Sequence, residues 1–486
     1  MDYIKKFKGK DKKKIESFFK DLDSKILLSK KDKKRIIHDF EDFIDYYLEK
    51  KKSISSILKL LPLDAVSSGY GKTSDWYSLD TSSKIYPLAM REEWMSIYRL
   101  SYYLKEDINP IILRIALFFT MIRFPLFRTN IHKGFFWNYL DVTNRRFRVE
   151  EERYIPCGEI NISKYKMPLF RVLYYKNRIS CEFFHVLADA HGGSVFLTTL
   201  VGEYLRLLEK NVSYNDMCLE INTFNEEEVK DKFIKVKNSS NSKLIEKKAL
   251  QLDGKKSVVK PCQIIHFDLD FKKIHDLAKS KDITVNELFL SFLFLVLSYS
   301  TSGDGDIKIQ VPVNMRKYYE TNTLRNFSLY SIISLNKKEI TTLDSVILKV
   351  REESRKKINK HEMDGLMEKT VKLVKSISFI PLIIKRPIAK FIYSMFGDKS
   401  STTVLSNLGR INLPSELSKE IMKGDFVLGT TLSNKALFSI ITVGNILTFT
   451  ISKFTTNSSI ENNLYSLFKE YDLIINIHGS DKYEVK

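Results

Sequence analysis

The chain has 486 residues, 43% hydrophobic and 28% charged, with 79 Lys/Arg against 59 Asp/Glu and a net charge of +20. That length exceeds what one hydrophobic core usually organises, so two lobes are expected, and the composition excludes a disordered or fibrous chain. The charged start, Met-Asp-Tyr-Ile-Lys-Lys, and the apolar windows Pro110–Phe127 (interrupted by Arg114 and Arg123) and Leu288–Ser300 (too short) lead us to expect neither an apolar leader nor a membrane span. Cys157, Cys181, Cys218 and Cys262 lack C-x-x-C spacing, which argues against a zinc cluster or a disulfide framework and suits a reducing cytoplasm. The positive excess points to an anionic partner, whether nucleic acid, anionic lipid or a phosphorylated cofactor, although a coding bias toward Lys, Ile and Asn would give the same lysines.

Residues 1–60 hold 18 Lys/Arg and 11 Asp/Glu, with Ile36, Phe40, Phe43, Ile44 and Leu48 at helical spacing. They read as one or two basic amphipathic helices that dock on the body of the protein or make weak peripheral contact with a membrane. The mixed sign of the polar stripe favours docking. From Ser74 to about Tyr214 the expected elements are a strand at Ile97–Leu104, a helix at Pro110–Arg123 capped by Asn109, further strands, and a hairpin of Leu169–Tyr175 with Ile179–Phe184. Asn222–Val258 is rich in charge, Ser and Asn and reads as a mobile linker. A second lobe begins near Gln263 with a strand at Ile264–Leu269, helices at Lys272–Lys281 and Thr284–Ser300, the latter with a Thr284/Glu287 capping box, and strands at Ile307–Val313 and Phe327–Leu335. Helical sequence runs to about Met395, kinked or broken at Pro381 and Pro387. Strands follow at Val404–Leu408, Phe426–Leu432, Leu437–Thr442 and Ile446–Ser452, then a helix at Ser459–Tyr471. The alternation predicts an α/β fold of two sandwich lobes, divided into a basic helical extension (1–70), a first lobe (71–221), a linker (222–260) and a second lobe (261–486).

Where the hairpin gives way to a helix, Phe184-His185-Val186-Leu187-Ala188-Asp189-Ala190-His191-Gly192-Gly193 gathers two imidazoles, a carboxylate and a glycine pair. His185 leaves a strand end at a bend held by packed elements on both sides. A neutral imidazole there can take a proton from an attacking hydroxyl or amine and return it to a leaving group near neutral pH. Asp189 starts the helix, so unpaired backbone N–H groups and the dipole keep its pKa low and make it a poor base. Arg316 is one candidate ion-pair partner. A second reading takes His185, Asp189 and His191 as the nitrogen, oxygen and nitrogen ligands of a metal-dependent hydrolase, although His185 precedes the helix and is off its face.

His185-x-x-x-Asp189 followed by small residues and a helix resembles the His-x-x-x-Asp-Gly motif of the CoA-dependent acyltransferase superfamily, which includes chloramphenicol acetyltransferase, nonribosomal peptide condensation domains and alcohol acetyltransferases. Further segments are similar, in order, to the bacterial alcohol-acetyltransferase-like branch. They are Trp76-Tyr77-Ser78-Leu79-Asp80 with Ile85-Tyr86-Pro87, Arg123-Phe124-Pro125-Leu126-Phe127 with Gly134-Phe135-Phe136-Trp137-Asn138-Tyr139, Val311-Pro312-Val313-Asn314-Met315-Arg316 with Leu324-Arg325-Asn326-Phe327, and Leu405-Ser406-Asn407-Leu408-Gly409-Arg410. The resemblance runs from about Trp76 to the end.

It implies two chloramphenicol-acetyltransferase-like lobes with an active-site tunnel between them, and transfer of an acyl group from acyl-CoA, the donor substrate, to a small alcohol or amine. His185 is then the general base, and Asp189 a loop-shaping carboxylate beside Gly192 and Gly193. Ser406 and Asn407 become oxyanion or tunnel donors, the alternative being a polar strand end with Gly409 as a bulge. His191 lines the acceptor channel or caps the helix, and Asn314, Arg316, Asn326 and Phe327 form an inter-lobe crossover. No bound cofactor, metal or nucleic acid is implied, and a cytoplasmic monomer is expected. Two departures stand out. Ala190 occupies the family's glycine position, which would cost on the order of 1 kcal/mol if a positive φ were needed there. Phe184 replaces the first histidine of the condensation-domain form, which weakens a peptide-condensation reading. A site eroded by Ala190 and His191 would leave a non-catalytic, condensation-like binding or assembly protein.

Overall fold

The computed structural model describes residues 2–64, 75–89, 96–158, 160, 168–237, 240, 247–255, 262–396, 398–429 and 434–479, without the side chains of 391–398. The N-terminal extension forms α1 (Gly9–Lys25), α2 (Lys30–Glu49) and α3 (Ile54–Lys59). The chain continues through β1 (Trp76–Ser78), α4 (Tyr86–Ala89), β2 (Ile97–Leu104), α5 (Pro110–Arg123), β3 (Thr129–Lys133), β4 (Asn138–Val142), β5 (Val149–Glu151), β6 (Phe170–Tyr175), β7 (Arg178–Phe184) and α6 (Ala190–Leu207). The second half comprises β8 (Gln263–Asp270), α7 (Phe271–Ser280), α8 (Val285–Tyr299), β9 (Asp306–Asn314), β10 (Ser328–Asn336), α9 (Leu343–Lys357), α10 (Lys360–Ser376) and α11 (Leu382–Phe396). It closes with β11 (Thr403–Arg410), α12 (Ser415–Glu420), β12 (Ile421–Leu428), β13 (Ala436–Val443), β14 (Ile446–Lys453), α13 (Ser459–Glu470) and β15 (Ile474–Gly479).

Local chemistry explains the main boundaries. Asn109 accepts from Ile111 N and Ile112 N with Pro110 in the first turn of α5, satisfying donors that a helix start leaves orphaned. Thr284 and Glu287 close the expected capping box on α8. Lys176 takes a left-handed φ of 49° between β6 and β7, which pair antiparallel from Tyr175↔Arg178 to Phe170↔Phe183. Pro387 lies inside α11 without ending it, while Pro381 separates α10 from α11; the helical run is broken at Pro381 and continues through Pro387.

Among the described residues three sheets result, with strand orders β1-β4-β3, β12-β2-β7-β6-β5 and β10-β9-β11-β13-β14-β8-β15. Two large apolar cores follow from them, one around the five-stranded sheet with α5 and α6, the other around the seven-stranded sheet with α7, α8, α9 and α13. This is the two-lobed α/β arrangement expected. One strand crosses the expected division: β12, from the second half, pairs antiparallel with β2 along Ile421↔Leu104 to Leu428↔Tyr98 and forms the edge of the first lobe's sheet. The expected strand at Phe426–Leu432 starts five residues earlier, and residues 430–433 lie outside the described set.

The extension docks. Ile15, Phe18, Phe19, Leu22, Ile36, Phe40, Phe43 and Ile44 are buried, and Phe40 meets Phe118 and Phe119 of α5 edge-on at 5.3 and 6.2 Å. The expected mobile linker begins as a fastened segment. Glu228 makes a bidentate ion pair with Arg123, both oxygens at 2.7 Å, and its carbonyl accepts from Leu324 N. The Asn238–Ser242 run lies, except for Ser240, outside the described residues.

Candidate active site

His185 follows β7, which is buried along its whole length between β2 and β6. Its N–H donates to Ser96 O at 2.8 Å, Leu187 N donates back to Phe184 O, and the Tyr98 hydroxyl donates to Ala188 O and Asp189 O at 3.1 and 2.8 Å. The bend is therefore tied on both sides, and the half-buried ring lies against Tyr86 (4.8 Å between centroids) and Tyr98 (5.3 Å).

The ring is also oriented from the second half of the chain. His185 Nδ1 is 2.8 Å from Asn326 Oδ1, and Asn326 Nδ2 donates to Asp80 Oδ2 at 3.1 Å. Asp80 is fully buried, accepts from Ser83 N at 2.7 Å, and faces the Arg325 guanidinium at 3.6 Å. The Asn326 amide thus turns its NH2 toward Asp80 and its oxygen toward the ring. Nδ1 then carries the proton and Nε2 the lone pair. Burial lowers the His185 imidazole below its usual value, against the opposing pull of Asp189 and the Asn326 hydrogen bond. Burial likewise raises the Asp80 carboxyl, with Arg325 opposing it.

Asp189 caps α6, accepting from Gly192 N at 3.1 Å through Oδ1, while Oδ2 accepts from Arg316 Nη1 at 2.8 Å and Phe327 N at 2.9 Å. Burial alone would raise this carboxyl, but Arg316 and the hydrogen bonds hold it below the usual range. Arg316 also donates to Thr323 O and Arg325 O, so the Asp189 ion pair fastens the crossover segment that delivers Asn326. Ala190 opens α6 with a helical backbone and is absent from the left-handed residues. Its methyl group therefore carries no positive-φ cost.

The glycines are needed for space. A Cβ at Gly192 would lie 2.1 Å from Leu324 O, and one at Gly193 2.6 Å from the Tyr98 hydroxyl. His191, on the first turn of α6, is lowered to about 4 by burial and by Arg316. The set His185, Asp189 and His191 does not form a ligand cluster. Both Asp189 oxygens are engaged as above, and among the described residues no group of three or more His, Cys, Asp or Glu could hold a metal ion.

Ser406 and Asn407 part company. On β11, Leu405 belongs to the second lobe's core, whereas Val404 and Leu408 pack against the first lobe's. Strand alternation puts Ser406 on the first-lobe face and Asn407 on the opposite one. Asn407 Nδ2 is 3.3 Å from Asn286 Oδ1 at the start of α8, and its Oδ1 accepts from Gly409 N at 2.8 Å. Gly409 has φ +70° where the β11–β13 register shifts, so it is the bulge.

Sequence reasoning gave Asn326 an architectural part and left Asp80, Tyr86 and Tyr98 without one. Asp80 and Tyr86 stand in segments that carry the resemblance and Tyr98 in the expected strand Ile97–Leu104, but nothing local links Asp80 to a histidine 105 positions later.

No protein-family model and no curated protein matches this sequence. Solved structures do. TRI101 of Fusarium sporotrichioides, complexed with coenzyme A and T-2, has a TM-score of 0.56 at 12% identity, over 81% of this chain and 97% of that one. TRI3 trichothecene 15-O-acetyltransferase from the same organism has a TM-score of 0.54 at 11% identity, over 83% and 96%. The epimerization domain from the third module of tyrocidine synthetase B has a TM-score of 0.51 at 12% identity, over 82% and 96%. What is shared at such identities is the architecture, over about four fifths of the chain.

Proposed function

We propose that this chain, built on the two-lobed fold of the CoA-dependent acyltransferases and condensation-type domains, moves an acyl group from acyl-CoA to a hydroxyl or amine acceptor with His185 as general base. The observation that carries the reading is the Asp80–Asn326–His185 chain, because it assigns the ring's proton to Nδ1 and its lone pair to Nε2. With its pKa lowered by burial, the imidazole is neutral at pH 7 and ready to accept.

Nε2 takes the acceptor's proton as the acceptor oxygen or nitrogen attacks the thioester carbonyl. The C–S bond then breaks, and the same proton passes to the departing thiolate. Asp189, ionised and bound to Arg316, handles no proton and keeps the bend and the crossover segment in register. The Ser406 hydroxyl, on the first-lobe face of β11, is the candidate donor to the tetrahedral oxyanion.

The test is thiol release from acetyl-CoA with a panel of alcohols and amines. His185→Ala should lower turnover by roughly 10²- to 10⁴-fold with an unchanged circular dichroism spectrum. Equal turnover in wild type and variant would remove His185 from the mechanism. No release with any donor would favour the non-catalytic reading.

A further inference from the structure

Helix α11 is built inside out. Lys385, 3% exposed, points inward with its Nζ 3.3 Å from the centre of the Trp137 ring, whereas Ile383 is 82% exposed. Ile384 and Ile388 are about half exposed and Pro387 is exposed, so positions 383, 384, 387 and 388 make one solvent-facing apolar stripe at helical spacing. The turn before the helix adds Phe379, 85% exposed, and the end of α10 adds Leu373. The loop between β3 and β4 extends the patch with exposed Phe135 and Phe136, fastened there by Leu382 N donating to Phe135 O at 2.8 Å. Large apolar side chains gathered this way on a surface mark a site of association.

Charge selects the occupant. From residue 369 to 397 the chain carries Lys369, Lys372, Lys375, Lys385, Arg386 and Lys390 and no Asp or Glu. Lys372 pairs with Glu368 at the margin, Lys369 donates to Ser240 O, and Lys375 is exposed beside Leu373. A second copy of the chain would bring this positive field against itself. An anionic lipid surface complements both features, since acyl chains receive the isoleucines and phenylalanines while headgroups meet the cations. No single helix among the described residues is long and apolar enough to span a membrane, so the contact is with the surface.

We propose that the Phe379–Ile388 face docks on an anionic lipid surface and that the acceptor reaching His185 is a membrane-borne amphiphilic alcohol or amine. The second part rests on the acyl-transfer reading and on proximity: α11 packs against α4, whose Tyr86 ring lies on His185.

The experiment floats the full chain with phosphatidylcholine vesicles, with and without phosphatidylserine, as wild type, Phe379→Asp/Ile383→Asp, Lys375→Glu/Lys390→Glu and His185→Ala. Wild type and His185→Ala should float with the anionic vesicles, less so at high salt, and both paired variants should lose at least about tenfold of the bound fraction. Flotation of the Phe379/Ile383 variant equal to wild type, or no flotation of wild type with either vesicle, would overturn docking. Wild-type self-association abolished by the same variant would assign the face to a second copy instead. The acceptor is tested with a long-chain alcohol carried in the anionic vesicles against a short soluble alcohol. The Phe379/Ile383 variant should keep turnover on the soluble alcohol and lose it on the vesicle-borne one. Equal retention on both would overturn the acceptor assignment. Absence of acyl transfer in every protein, with flotation intact, would sink the enzymatic reading and leave the docking surface standing.

Discussion

Asn326 turns its NH2 to the buried Asp80 and its oxygen to His185, and this orientation puts the imidazole proton on Nδ1. Asn326→Ala should therefore lower kcat by about 100-fold through misplacement of the ring while leaving KM for acyl-CoA close to wild type. The pH profile separates this role from a merely structural one. A base works deprotonated, so the lowered imidazole should keep kcat/KM high below the ordinary histidine value of about 6.5. The Asn326 hydrogen bond raises that pKa, so its removal should move the acid limb further down. At Asp189 the expected effect is on stability. Asp189→Asn leaves Arg316 buried against a neutral partner and should cost about 3–5 kcal/mol, seen as a lower urea midpoint. In the wild type the depressed carboxyl contributes stability at pH above about 3.9. That contribution is lost as pH falls through the lower folded value. The His-x-x-x-Asp spacing singled out His185 and Asp189 in the sequence, whereas Arg316 stood there only as one candidate partner among many arginines, and the structure supplies the pairing. The tautomer was not legible, since it depends on a contact between Asp80 and Asn326 that lie 246 positions apart.

Helix α6 shows what the glycines do at the scale of an element. Gly192→Ala should push its methyl group into Leu324 O and displace the crossover segment, costing about 1–3 kcal/mol as overpacking. It should lower activity as well, because Asn326 is two residues further on. Ala190→Gly should restore nothing: at a helical position glycine is worse than alanine by about 0.5–1 kcal/mol, and thermal unfolding together with the thiol-release assay would register the loss. From sequence alone Ala190 looked like the weak point of the motif, because the family pattern shows which residue type is usual and not the backbone angle behind it. Helices and strands with strong caps or periodicity, such as α5, α8, β2 and the β6–β7 hairpin, were legible almost to the residue. At Pro387 the sequence left a kink and a break both open, and the proline lies inside α11 without ending it.

Across the whole molecule, two lobes followed from length and alternation, but the sharing of a strand between them did not. β12 is an ordinary apolar strand with nothing in its composition to say that it joins β2 of the other lobe. Residues 75–260 expressed alone should therefore be poorly soluble, and co-expression with residues 261–486 should recover a complex that co-purifies. A soluble, cooperatively unfolding first half would contradict this. The shared strand also bears on the order of events at the ribosome. β12 emerges roughly 300 residues after β2, which at ~5–20 residues per second leaves the first sheet with an open edge for about 15–60 s. Through that interval the nascent chain presents β2 as an unpaired edge, a template on which a foreign strand can pair before β12 arrives.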